Sequence, residues 1–210
     1  MTLEFNEEKH EYRIDGVLLP NVTRITNMMS SYAGVPASVL AAKAEIGQAV
    51  HWATELDDQD DLDYLGLPDE LRGYVDAWRL FKKQTGWITE LSEQRVYSKR
   101  YQFAGTLDCI GHFESLAKVR PSVLALIDKK TTYDILPSVG PQVAAYAEAW
   151  NETNTPKIRR RFAVQLKRDG FYNLHECGDA TDWSVFLSGL TLSNWLKRNH
   201  LEINKHERID

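Results

Sequence analysis

The chain has little cysteine: two, Cys109 and Cys177, in 210 residues. Two thiols are too few for a disulfide framework or a four-thiolate iron–sulfur cluster, so neither is expected. Cys109 lies in an apolar context and is expected to be a small core residue. Long hydrophobic runs are missing as well. No stretch approaches the roughly 18 apolar residues of a membrane span, and the first residues carry no charged-then-apolar signal pattern. A soluble, cytoplasmic protein without membrane contacts is the expectation. Positive charge is not in excess either. A formal net charge of -5 argues against a wholly basic nucleic-acid coat, although the total says little about local fields. Basic residues cluster at Lys99-Arg100, Lys129-Lys130, Arg159-Arg160-Arg161, Lys167-Arg168 and Lys197-Arg198. Such clusters matter only where they converge on one face.

What is present suffices for one good core: 43% of the residues are hydrophobic, and a single domain over 1–210 is expected. The stretch that organises the chain is Val123-Leu124-Ala125-Leu126-Ile127-Asp128-Lys129-Lys130-Thr131-Thr132. An unbroken apolar run after Arg120-Pro121-Ser122 predicts a central strand buried on both faces, because a half-exposed strand would alternate. Side chains alternate along a strand, so Asp128 and Lys130 share one face and Lys129 takes the other. A carboxylate and an ammonium side by side suit a divalent metal at the acid and a proton-handling or charge-stabilising group at the amine. The triplet alone means little. Glu7-Glu8-Lys9 is a second match in a polar segment, and its company is what raises the first.

That company is spread along the chain. His10 to Ile14, Asp15-Gly16 and Val17 to Leu19 predict an N-terminal hairpin, with Pro20 ending it. Val22 to Met29 is a short helix or irregular connection without evident chemistry. Apolar steps at Val39, Ile46, Val50 and Ala53 predict a helix from Pro36 to about Leu56. On it Gly47 and His51 are one turn apart, and the side chain of His51 leans over the space that Gly47 leaves empty. Glycine costs a helix interior about 1 kcal/mol, so access beside His51 or close helix packing must account for it. The acids from Glu55 to Asp63 lack the glycine and glutamate positions of a calcium loop and predict a solvated loop. A second helix is expected from Pro68 to about Gln84.

Two strands follow, Leu91 to Ser98 and Gln102 to Phe113. Glu93, Arg95 and Tyr97 share a face of the first, and Thr106, Asp108 and Ile110 a face of the second. Gly105 would let another backbone come close. Asp108, amid Leu107, Cys109 and Ile110, needs a cation or a donor. On neighbouring strands Asp108 and Asp128 would sit about 4 Å apart, repelling by roughly 4 kcal/mol at an effective dielectric of about 20. A divalent cation offsets this better than Lys130 alone, and magnesium or manganese is the expected metal. Beyond Thr132, a helix from Ser138 to Glu152 puts Gln142 and Tyr146 on one stripe. A strand from Lys157 to Lys167, a turn at Asp169-Gly170, a strand from Phe171 to Cys177 and a helix from Asp182 to about His200 complete the pattern.

Taken in order, Gly47-x-x-x-His51, Glu93, Gly105-Thr106-Leu107-Asp108, Asp128-Lys129-Lys130-Thr131 and Gln142-x-x-x-Tyr146 resemble the PD-(D/E)XK nuclease superfamily, most nearly its RecB-like and phage exonuclease branch. The flanking hairpin resembles phage members of the group. The resemblance implies an α/β fold with a central mixed β-sheet flanked by helices, the restriction-endonuclease-like core, and metal-dependent hydrolysis of phosphodiester bonds in DNA. It implies His51, Asp108 and Asp128 as ligands of Mg2+ or Mn2+, with the backbone carbonyl of Lys129 as a further one. Lys130 would position or help deprotonate the attacking water, or stabilise charge on the phosphate. Gln142 and Tyr146 would hold their helix against the site and touch substrate. Glu93 would be a partner of Lys130 or a weak second-metal ligand. The implied activity is an exonuclease in phage or bacterial recombination or end processing, with DNA and a single-strand annealing or recombination protein as partners, in a monomer or a ring. An endonuclease on the same site and an inactive nucleic-acid-binding accessory are the alternatives.

Overall fold

The computed structural model describes residues 3–7, 9–30, 35–114 and 123–201. Glu8, within the second Glu-x-Lys match, and the expected strand boundary Arg120-Pro121-Ser122 lie outside the described residues. The chain opens with a three-stranded antiparallel sheet, β1 (Leu3–Asn6), β2 (Glu11–Ile14) and β3 (Val17–Leu19). The expected hairpin is its β2–β3 half. Asp15 and Gly16 both take positive φ, 49° and 78°, as a two-residue turn between twisted strands requires.

The larger sheet has five strands in sequential order: β4 (Trp87–Ser98), β5 (Phe103–Phe113), β6 (Ala125–Lys130), β7 (Arg160–Leu166) and β8 (Tyr172–Glu176). Among the described strands of this sheet only the β6–β7 pair is parallel, so the sheet is mixed. β6 is the middle strand, and Ala125, Leu126 and Ile127 are fully buried on it, as the unbroken apolar run predicts.

Five helices are described: α1 (Val22–Asn27), α2 (Ala37–Asp58), α3 (Asp69–Thr85), α4 (Val139–Thr153) and α5 (Asp182–Arg198). On one face of the sheet Val50 of α2 and Tyr74, Trp78 and Phe81 of α3 pack with Cys109, Ile127 and Val164. On the other face Ile25 of α1, Val143 of α4 and Phe186 of α5 pack with Ile110, Leu126 and Ala163. The protein is thus α/β, with a central mixed sheet covered by helices on both sides. No described helix is long and apolar enough to cross a membrane.

One expectation is overturned between α2 and α3. Asp57 and Asp58 are not in a solvated loop; α2 runs on to include them, and their side chains are 7% and 5% exposed. Asp57 accepts from Arg79 Nε at 2.7 Å and Lys82 Nζ at 3.0 Å, and Asp58 from Lys82 Nζ, Trp78 Nε1 and Thr89 Oγ1. Carboxylates tolerate burial when their oxygens are paired in this way. The cations come from α3, which sequence spacing within α2 does not reveal.

Candidate metal centre

The site begins where two strands leave regular pairing at the same rung. Ser92 pairs with Cys109 and Gln94 with Leu107, so Glu93 lies across from Asp108. Glu93 takes φ of 48°, a left-handed conformation that costs a non-glycine residue about 1–3 kcal/mol and concentrates at functional sites. On β5, Leu107 and Ile110 both pack into the core beneath α4, whereas Cys109 packs into the core beneath α2 and α3. Strict alternation therefore breaks at Asp108, and it does not share the face of Ile110. The β5–β6 ladder stops at Cys109↔Ile127, one rung short of Asp108 and Asp128. In place of a ladder bond, Asp108 Oδ2 accepts from the backbone N–H of Lys129 at 2.6 Å.

α2 delivers His51 to this rung. Its Nε2 is 3.0 Å from the carbonyl oxygen of Lys129; a carbonyl can only accept, so Nε2 carries the proton in this contact. Nδ1 then faces Asp108 Oδ1 at 3.6 Å and Glu93 Oε1 at 3.7 Å. One ligand atom from each of His51, Glu93 and Asp108 lies within 4.8 Å of the others. Burial by itself would lower the pKa of His51, but the Asp108 and Glu93 carboxylates outweigh it and raise it. Among the described residues, a Cβ added at Gly47 would meet only Thr131 Oγ1, at an ordinary 3.5 Å. Close helix packing is not why glycine stands there.

β6 carries out its alternation. Asp128 and Lys130 share a face, with Lys130 Nζ 2.6 Å from Asp128 Oδ2. Lys129 points the other way, fully buried, its Nζ donating to Thr54 Oγ1 at 2.9 Å and lying 5.3 Å from the centre of the Trp78 ring. Asp128 is 1% exposed. The Lys130 ammonium meets Asp128 Oδ2, while Asp128 Oδ1 and Glu93 Oε1 have no hydrogen-bond partner among the described residues. Burial pushes the Asp128 carboxyl up to about 6, with Lys130 pulling it down and Asp108 pushing it further up. Asp128 stands outside the group of three formed by His51, Glu93 and Asp108. Buried carboxylate oxygens lacking donors, beside an imidazole nitrogen, form the mainly oxygen donor set that suits a hard divalent cation.

α4 brings Gln142 and Tyr146 to the same end of the sheet. Gln142 Nε2 donates to Tyr146 Oη at 3.2 Å, and Thr23 Oγ1 of α1 is 3.3 Å from that hydroxyl. Tyr146 is buried, which raises its pKa, and the charge of Asp128 raises it further. A Cβ at Gly105 would lie 2.6 Å from Tyr146 Cε1 and 3.2 Å from Val22. Gly105 thus makes room for side chains, not for the backbone that its strand position suggested.

Two residues of the site carry no motif. Thr23 sits in the segment that offered no chemistry. Gln165 of β7 is 5% exposed and donates to the carbonyls of Thr132, at 2.8 Å, and Tyr133, fixing the chain just beyond Lys130. Its one signal was a glutamine in an otherwise apolar strand, Phe162 to Leu166. The basic clusters are partly consumed internally: Lys129 is buried, Arg160 pairs with Glu176 at 2.9 Å and Arg161 with Asp182 at 3.3 Å.

No protein-family model matches the chain, and neither does any curated protein.

Proposed function

We propose that the chain is a divalent-metal-dependent deoxyribonuclease of the PD-(D/E)XK type, acting as an exonuclease. The observation that carries this reading is the meeting of His51, Glu93 and Asp108, from a helix and two strands, with Asp128, ion-paired to Lys130, near enough for the charges of Asp108 and His51 to act on it. Burying acids together is costly unless a cation joins them. A scaffold that only binds nucleic acid gains nothing from that expense.

In this reading His51 Nδ1, Glu93, Asp108 and Asp128 hold Mg2+ or Mn2+, which when bound supplies electrophilic help and charge neutralisation at the phosphate. Lys129 contributes through its backbone: its carbonyl fixes the His51 tautomer and ring, and its N–H fixes Asp108 Oδ2, leaving Oδ1 toward His51. The ammonium of Lys130 orients the attacking water or stabilises charge on the phosphate. Tyr146, held by Gln142 and Thr23, keeps α4 against the site. DNA is the substrate, and phage or bacterial recombination or end processing is the setting that the resemblance implies.

The test is digestion of end-labelled linear and closed circular DNA, with magnesium or with chelator. Metal-dependent loss of linear DNA alone is the expected result. Cutting of circles would make the site an endonuclease. Binding without cleavage, unchanged by Asp108→Ala, would leave an accessory protein and remove the catalytic reading.

A further inference from the structure

Two rungs beyond Glu93 and Asp108, Arg95 pairs with Thr106. Residues two apart on a strand are separated by about 6.8 Å along it, close to one nucleotide step of an extended DNA strand. This second rung is furnished by the N-terminal sheet. Tyr12 of β2 is fully buried, and its hydroxyl is 2.8 Å from Thr106 Oγ1. His10 Nε2 lies 3.4 Å from the same hydroxyl. Arg95 is exposed, and its guanidinium rests 4.6 Å from the centre of the Phe5 ring of β1. A guanidinium stacked on a ring face keeps its N–H edge open to a second partner. A threonine hydroxyl engaged by one tyrosine also retains hydrogen-bonding capacity. The N-terminal sheet thus meets β4 and β5 at Arg95 and Thr106, while α2 meets them at Glu93 and Asp108.

We propose that Arg95 and Thr106 form a subsite for the phosphate next to the scissile one, with the N-terminal sheet, through Phe5, Tyr12 and His10, setting its position. The subsite rests on the nuclease reading, since it is defined by its distance from the metal centre. Arg95 supplies the charge-assisted bond, and Thr106 a neutral one. Glu93, two rungs away, repels a phosphate in the absence of metal, so the subsite fills in step with cation binding.

The test is binding of a fluorescent single-stranded oligonucleotide in calcium, across a salt series, to the wild-type chain and to Arg95→Gln, Arg95→Lys and Thr106→Val. Arg95→Gln is expected to weaken binding about tenfold, the size of one charge-assisted hydrogen bond. It should also lower the slope of log K against log salt by about one. Arg95→Lys should keep most of the slope. An oligonucleotide with one neutral methylphosphonate beside the cleavage position should bind the wild type as weakly as the normal strand binds Arg95→Gln, and should cost Arg95→Gln nothing further. An unchanged slope in Arg95→Gln overturns the proposal. So does weaker binding with the full slope and a lowered Tm, which would make Arg95 a structural anchor on Phe5. A wild type that binds with the predicted slopes but never cuts removes the nuclease and leaves Arg95 and Thr106 as a phosphate contact without a scissile neighbour; one that cuts while Arg95→Gln is unaffected keeps the nuclease and removes the subsite. Absence of any DNA binding removes both.

Discussion

His51 Nε2 donates to the carbonyl oxygen of Lys129 at 3.0 Å, and this bond ties α2 to the middle strand of the sheet. It sets which imidazole nitrogen faces the acids. The tautomer places the lone pair of Nδ1 toward Asp108 and Glu93, where a cation would sit.

Metal should therefore stabilise the fold. Magnesium or manganese at about 100 times Kd adds roughly 2.7 kcal/mol, or a rise of about 5–10 °C in Tm for a chain of this size. Asp108→Asn and His51→Ala should abolish the rise in a thermal-unfolding titration. A full rise in both variants would place the cation elsewhere.

Lys130→Ala should fold and still respond to metal, because Lys130 is 21% exposed and lies outside the cluster of three. Its turnover on DNA should fall about 100- to 1,000-fold, as for loss of one charge-stabilising donor. Initial rates at saturating substrate check this, and a change confined to KM would move Lys130 from catalysis to binding.

Glu93 carries the strain of its left-handed backbone. Glu93→Gly should be about 1 kcal/mol more stable than Glu93→Ala, since glycine adopts φ of 48° without cost. Both should lose affinity for metal. Denaturant melts read the first difference and calorimetric titration the second; equal stability of the two variants would mean that the strain is not borne there.

Asp128 makes the metal-free fold sensitive to pH. Its carboxyl is pushed up to about 6 from 3.8, so between those values the folded state binds more protons than the unfolded chain. Stability is then greatest below pH 3.8 for this group and falls as pH rises through about 6. Asp128→Asn should be more stable than the wild type by about 3 kcal/mol at pH 7 in chelator, and by nothing near pH 3.5. The pKa of His51 is raised above 6.5, so its contribution is lost at higher pH and separates from that of Asp128. A pH-independent gain in Asp128→Asn would remove Asp128 as the titrating group.

The two glycines should respond oppositely. Gly47→Ala meets only ordinary contact and should stabilise α2 by about 0.5–1 kcal/mol. A fall in metal-dependent activity despite that gain would mark the space beside His51 as used by substrate. Gly105→Ala drives a methyl into the Tyr146 ring and should cost about 1–3 kcal/mol. Full stability of Gly105→Ala would show that the ring can move aside.

Local periodicity made much of this protein legible in its sequence. The apolar run of β6 placed it at the sheet centre and put Asp128 and Lys130 on one side with Lys129 on the other, because strand alternation is a property of neighbouring residues. The turn spacing of α2 set His51 over Gly47, and that of α4 set Gln142 against Tyr146, for the same reason. The grouping of Glu93 with His51 and Asp108 is different in kind. It depends on two strands departing from regular pairing at one rung, on a glutamate held at positive φ, and on a carboxylate taking the place of a ladder bond. The burial of Asp57 and Asp58 depends likewise on cations from another helix. Each of these arises from contacts between distant segments, so only the tertiary structure could decide them.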